Sequence, residues 1–323
     1  SEMCIRDSFE KMLEIKGDSD HTKLIDMLTD LNDYSIGIED VLKEHFDEEN
    51  IVYWMAFQIL MGNVDTQNRN VYLYSPLNSD IWYFIAWDND GCLMRPEYEL
   101  RNFSDQNSWE KGISNYWGNI LFQRCLKSRS FREKLNDAIL DLREYLNKDM
   151  LTSKIESYKN VLKPYLYLMP DAEYEPLTSE QYDQIAASLP DEIEKNYQLY
   201  LESLETPMPF YIGVPTIDGD KLKFNWDVSY DLDAEDITYS VEVAGDYLFR
   251  DVIYQNTTLT VPEAEMDLPK AGQYFVRVRA TNTSGKTQDA FDYYVTDEGK
   301  YYGMRCFYIT EDSTVEEDDY EEG

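Results

Sequence analysis

From residue 9 to about 205, apolar positions recur mainly at three- and four-residue spacing, the period of helices packed on one face. Leu24, Ile25, Leu28 and Leu31 form the first stripe, with Asp20 or a neighbour as its N-cap. Asp47 is placed to cap the next helix, with Glu48 and Glu49 in its positive first turn. Ile51, Val52, Met55 and Ile59 line one face of that helix, and Gly62 is its natural stop. Alternating segments at 70–74 and 81–87, separated by Ser-Pro-Leu-Asn-Ser, then predict a β-hairpin. After an irregular stretch to about 118, helices are predicted near 119–127, 130–147, 151–166, 179–187 and 190–204. Thr178 and Gln181 have capping-box spacing, and Pro190 is expected to divide the last two.

At Thr206-Pro-Met-Pro209 the period changes to two. Leu222, Phe224 and Trp226 alternate with polar neighbours, as do Tyr239, Val241 and Val243, and then Tyr274, Val276, Val278 and Ala280. Short alternating strands between turns predict a β-sandwich. The early buried tryptophan and the YFVRVRA strand resemble a fibronectin type III module. No cysteine pair spans the segment, which excludes an antibody-type disulfide, and the module is not repeated.

Composition narrows the partners. The 323 residues include 64 acidic and 29 basic side chains, a formal net charge of −35, which disfavours nucleic acid or an anionic membrane as a partner. With 43% hydrophobic and 14% aromatic residues the chain can still build cores, so the acidity reads as solvated surface plus a tail at 314–322. Cys4, Cys92, Cys125 and Cys306 are far apart and form no CxxC, which excludes a zinc ribbon or a dense disulfide scaffold. His21 and His45, the only histidines, read as surface residues near helix ends. No run of eighteen apolar residues predicts a transmembrane helix. Residues 1–8, SEMCIRDS, match the translation of a sequencing-library adapter and are read as non-native, with the true N-terminus and any signal peptide lost upstream.

One segment carries candidate chemistry. Asp65 is followed by Asn70 five residues later, then the hairpin, then Trp87-Asp88-Asn89-Asp90-Gly91. Phosphoryl transfer needs a carboxylate to orient the acceptor hydroxyl and hard oxygen ligands to hold magnesium against nucleotide phosphates. A hairpin returns both its ends to one edge, so Asn70 and Asp88 are expected to meet beside Asp65. The same residues also read as polar turns, or as part of a calcium-type D-x-D loop that lacks the glutamate at its twelfth position.

The stretch GNVDTQNRNVYLYSP…WYFIAWDNDG resembles the signature of the CotH kinase family, named for spore-coat protein H, over about residues 20–205. That resemblance implies a mostly helical, protein-kinase-like C-lobe with a β-hairpin at its active centre, which with the all-β fibronectin type III/Ig-like sandwich makes an α+β chain. Boundaries follow at 1–8 (adapter), 9–205 (kinase-like, its N-lobe largely missing), 206–297 (sandwich) and 298–323 (short strand and acidic tail). It further implies an atypical kinase moving the ATP γ-phosphate to Ser or Thr of secreted, coat or surface proteins. Asp65 would be catalytic, Asn70 and Asp88 would bind the Mg2+ (or Mn2+)–ATP cofactor, and Asp90 would be a further acidic metal position. Arg69 stands where family members often carry histidine. Lys11, Lys16 and Lys23 lie in no strand motif suited to a nucleotide-binding lysine, so poor ATP binding is expected. The implied location is extracellular or at a bacterial cell surface. A different class remains open, a non-catalytic surface adhesion protein on a kinase-like scaffold. A carbohydrate-binding role would want paired carboxylates flanking a cleft.

Overall fold

The computed structural model describes residues 20–66, 70–93, 109–175, 177–297 and 299–317. It is a mixed helix-and-sheet chain. The first body holds α1 (Thr22–Asn32), α2 (Ile38–His45), α3 (Glu48–Met61), the hairpin strands β1 (Tyr72–Tyr74) and β2 (Tyr83–Ile85), α4 (Ile120–Lys127), α5 (Arg129–Tyr145), α6 (Lys148–Leu166) and α7 (Ser179–Glu205).

Helix α3 is the axis of this body. It is apolar on nearly every side, and Ile51, Met55, Ala56 and Leu60 are fully shielded, as suits a helix surrounded by others. Asp47 accepts from Asn50 N at its start, and Gly62 ends it in the left-handed conformation (φ 62°). A Cβ at Gly62 would lie 2.7 Å from the Asn196 amide of α7, which itself donates to Leu60 O. The expected capping box of Thr178 and Gln181 is present at the start of α7.

Three expectations are corrected. Pro190 does not divide α7, which is continuous over Ser179–Glu205. Packing on both sides of the proline outweighs its missing N–H. Asp183 ties the part before the proline to Lys163 of α6, while Asp191 just after it pairs with Lys148 of α6 and Asn196 reaches α3. His45 is buried rather than on the surface, its Nε2 2.8 Å from Asp30 Oδ2. Ile25 is exposed, and Met27 with Leu31 makes the buried face of α1.

The hairpin is antiparallel, pairing Tyr72 with Ile85, Leu73 with Phe84 and Tyr74 with Tyr83. Asn50 of α3 grips β2 like a neighbouring strand: its amide donates to Phe84 O and its oxygen accepts from Phe84 N. Phe84 packs against Trp54 and Phe122 below. Lys23 secures the far end, donating to Pro76 O at 2.7 Å and to Ser79 O. It is thereby engaged at the hairpin tip.

The second body is all-β. One sheet runs β13 (Val315–Glu317), β12 (Met304–Ile309), β8 (Gly272–Asn282), β5 (Ile237–Ala244), β6 (Val252–Leu259), with β9 (Thr287–Asp289) on β8. A second runs β3 (Thr216–Asp218), β4 (Lys221–Asn225), β7 (Glu263–Asp267), and β10 (Tyr293–Thr296) pairs β11 (Gly299–Tyr302). Phe224, Trp226, Val241, Val278 and Phe307 meet between the sheets. β12 and β13 are thus sheet strands, and Phe307, Ile309 and Val315 share this core.

The bodies are packed together. Met208, Phe291 and Tyr302 join the buried cluster of the helical body, Trp109 Nε1 donates to Phe291 O, and Glu110 accepts from Lys300.

Candidate active site

The three carboxylates of the WDND turn and the loop after α3 come together at the open end of the hairpin. Asp65 lies in a short 3-10 turn, Val64–Thr66, and its Oδ2 accepts from the Asn70 amide at 2.7 Å. Asp88 precedes a second 3-10 turn, Asn89–Gly91, that carries Asp90. The Asp88 carboxyl is held above the usual carboxylate range, first by the charge of Asp90, then by partial burial, a hydrogen bond with Asp90 and the charge of Asp65. Asp65, Asp88 and Asp90 are all solvent-exposed. Asn70 and Asp88 both adopt left-handed backbone (φ 55° and 49°), as does Leu93 (φ 56°) beyond the turn. Asn and Asp tolerate that region better than leucine, and such residues gather at functional loops.

Beneath this rim lies a layer of neutral amides that sequence reasoning did not single out. Gln58, on the last turn of α3, donates to Asn89 Oδ1 at 3.0 Å and accepts from Asn63 Nδ2 at 3.0 Å. Asn63 Nδ2 also lies 3.3 Å from Asn89 Oδ1, and Asn63 Oδ1 accepts from Asp65 N. Asn63 O accepts from Thr66 Oγ1 and Tyr116 Oη, whose hydroxyls meet at 3.0 Å. Asn115 donates to Val64 O, and Leu93 N to Met61 O. These bonds brace the Asp65 loop internally, join it to the Asp88–Gly91 turn, or hold one of them to the body. A signal was present: Gln58 interrupts an otherwise apolar run and is 1% exposed. Burial drives the Cys92 thiol up to about 11, with Asp90 adding to it, so Cys92 stays protonated at neutral pH.

Exposed rings stand beside the rim. Tyr72 and Trp87 lie 5.6 Å apart on exposed positions of the hairpin, two residues after Asn70 and one before Asp88. Lys23, at the hairpin tip, is not beside the carboxylates; Lys11, Lys16 and Arg69 lie outside the described residues. Among the described residues no group of three or more His, Cys, Asp or Glu side chains is drawn together closely enough to hold an ion by itself. Magnesium commonly takes only one or two carboxylates and completes its shell with water and substrate phosphates. The donor chemistry of Asn70, Asp88 and Asp90 suits such a site, and the repulsion among Asp65, Asp88 and Asp90 is the kind that a cation relieves.

The family model described as CotH kinase protein matches residues 5–200, more than half of the chain. The chain belongs to the CotH kinase family. Family membership carries nucleotide and divalent-metal use in general and an association with spore coats. No curated protein matches the CotH-family chain. Among solved structures it is similar to the twitchin kinase region from C. elegans (Fn31-NL-kin-CRD-Ig26), at 16% identity over 29% of this chain and 20% of that one, with a TM-score of 0.22. It is also similar to surface layer protein SbsC, domains 1-6, at 12% identity over 95% of this chain and 36% of that one, with a TM-score of 0.19. The chain spans well under two thirds of either structure, and at these scores neither carries an argument about its fold. Among the described residues no helix is long and apolar enough to cross a membrane.

Proposed function

We propose that this chain is a protein kinase of the CotH family, moving the ATP γ-phosphate to a Ser or Thr hydroxyl of a secreted, coat or surface protein. The observation that carries the reading is the meeting of Asp65, Asn70 and Asp88 at one end of the hairpin, with the Asn70 amide on Asp65 and the charge of Asp65 felt at Asp88.

Asp65 is the acceptor-side residue. Its exposed carboxylate, fixed by Asn70 and by its own N–H on Asn63, orients an incoming hydroxyl and takes its proton late in the transfer. Asn70 and Asp88 would hold Mg2+ or Mn2+, with Asp90 as a further acidic ligand. When bound, the ion neutralises charge developing on the phosphate oxygens. Asp90 meanwhile keeps Asp88 crowded with negative charge, favouring a cation at that spot. Tyr72 and Trp87 offer flat exposed rings suited to a nucleobase. The β body is read as a fibronectin type III-like module, supported by two antiparallel sheets closed over Trp226 and Phe307.

The test is transfer of labelled γ-phosphate to candidate coat or wall proteins, at Mg-ATP or Mn-ATP concentrations high enough to offset the poor ATP binding expected from the sequence. Asp65→Ala and Asp88→Ala should each lower transfer by at least about a hundredfold. Asp80→Ala, in the exposed hairpin turn 4.0 Å from Lys23, should leave it unchanged. Transfer that survives Asp88→Ala removes the metal role; absence of transfer together with tight binding of a surface partner favours the adhesion reading.

A further inference from the structure

Helix α6 buries only Leu151 fully, although it runs for 19 residues. Its inner face meets α7 through Lys159 and Lys163 on Asp183 and through Tyr167 on Tyr182. Flanking that face, Tyr158, Val161, Leu162 and Tyr165 form one exposed stripe at three- and four-residue spacing, followed by Leu168 and Met169 after the helix ends. All six are more than half exposed; Tyr158 is at 63% and Tyr165 at 66%. A contiguous apolar face of this extent is unusual on a protein that stays alone.

Three features point to a second copy of this chain as its occupant. The stripe is palindromic. About a point between Val161 and Leu162, Tyr158 is the mirror position of Tyr165, and Lys154 that of Met169. An antiparallel two-fold pairing therefore sets tyrosine against tyrosine and valine against leucine, the self-complementarity that an isologous interface requires. Its ends carry opposite charge. Exposed Lys154 lies at one end and exposed Asp171 in the 3-10 turn that follows the other, so antiparallel pairing puts the positive end of each stripe toward the negative end of the second copy's. Finally, the run from 157 to 170 has no Asp or Glu, in a chain where 64 of 323 residues are acidic. Two molecules of net charge −35 repel, and this face lets them approach with the least repulsion.

We propose that the protein forms a two-fold dimer through α6, with the two helices antiparallel and crossing at Val161 and Leu162. Equilibrium sedimentation of the full chain should give twice the 38.1 kDa monomer mass. Leu162→Glu should weaken the dimer at least about tenfold. Lys154→Glu should weaken it too, and Lys154→Glu with Asp171→Lys should restore it. Val161→Cys combined with Leu162→Cys, the two positions the pairing sets against each other, should give a covalent dimer under mild oxidation where the wild type does not. If Leu162→Glu loses its helical circular dichroism, Tyr158→Ser reads the same interface with a milder change. A chain that is monomeric up to about 100 µM overturns the proposal. So does a monomer that instead binds phosphatidylcholine vesicles through the stripe, which would assign it to lipid, and so does a double charge swap that fails to restore association.

Discussion

The rim and the floor of the candidate site are built on opposite rules. At the rim, Asp65, Asp88 and Asp90 stand in water and push against one another, which shows in the raised Asp88 carboxyl. In the floor, Gln58 and Asn63 are at most 2% exposed and, with Asn89, answer one another donor for acceptor. Buried amides are costly unless paired, and paired ones fix a geometry. Exposed carboxylates add little to stability and keep the charge that a cation and a hydroxyl need. Stability and chemistry are thus held in separate layers, and the rim can be broken while the floor stays intact.

The largest effect is expected from the floor. Asn63→Ala removes the partner of Gln58 and frees Asp65 N, leaving buried polar groups unanswered. The cost should be about 3 kcal/mol, summed from one or two unsatisfied groups. Urea denaturation followed by helical circular dichroism measures it; a loss below about 1 kcal/mol would mean the amide layer is not what joins the loops. Transfer should fall as well, because Asp65 loses its support. Asp65→Asn, by contrast, should abolish transfer with the unfolding midpoint nearly unchanged.

A middle effect is expected where the layers touch. Gly91 follows Asp90, and a Cβ there would sit 2.9 Å from Asn63 Oδ1. Gly91→Ala should cost about 1–2 kcal/mol as Asn63 yields, and it should lower transfer more than stability because the displaced turn carries Asp88 and Asp90. An unchanged midpoint with full activity would show that the turn relaxes freely.

The rim was legible in the sequence and the floor was not, for a physical reason. An antiparallel pair fixes where its ends go, so the approach of Asn70 to the Asp88 turn follows from local pattern alone. Asp47, Gly62 and Thr178 were readable in the same way, since capping is a matter of neighbours. Tyr116 reaches Thr66 across 50 positions, and Lys23 reaches the hairpin turn across 53, contacts that no local period encodes. Pro190 was misjudged for the same reason, because its helix is held by α6 and α3 rather than by its own propensity. The buried His45 likewise depends on Asp30, which comes from another helix.

The smallest effect should carry the opposite sign. Asp88→Asn removes a carboxylate that Asp90, then burial and Asp65, hold above its ordinary value of 3.8. The folded chain therefore binds that proton more tightly than the unfolded chain does. Stability contributed by the group falls as pH rises from 3.8 through the raised value, and the deficit is complete above it. Asp88→Asn should accordingly raise the melting temperature at pH about 7 and make no difference below pH 3.8. The rise is small because the side chain is exposed. Saturating Mg2+ should reverse the order, since the carboxylate gains more from the ion than the amide that replaces it. Melting curves at two pH values, with and without Mg2+, give all four numbers. A melting temperature that drops at neutral pH without metal would show Asp88 stabilising the fold, and the division between a strained rim and a satisfied floor would fail at its most exposed residue.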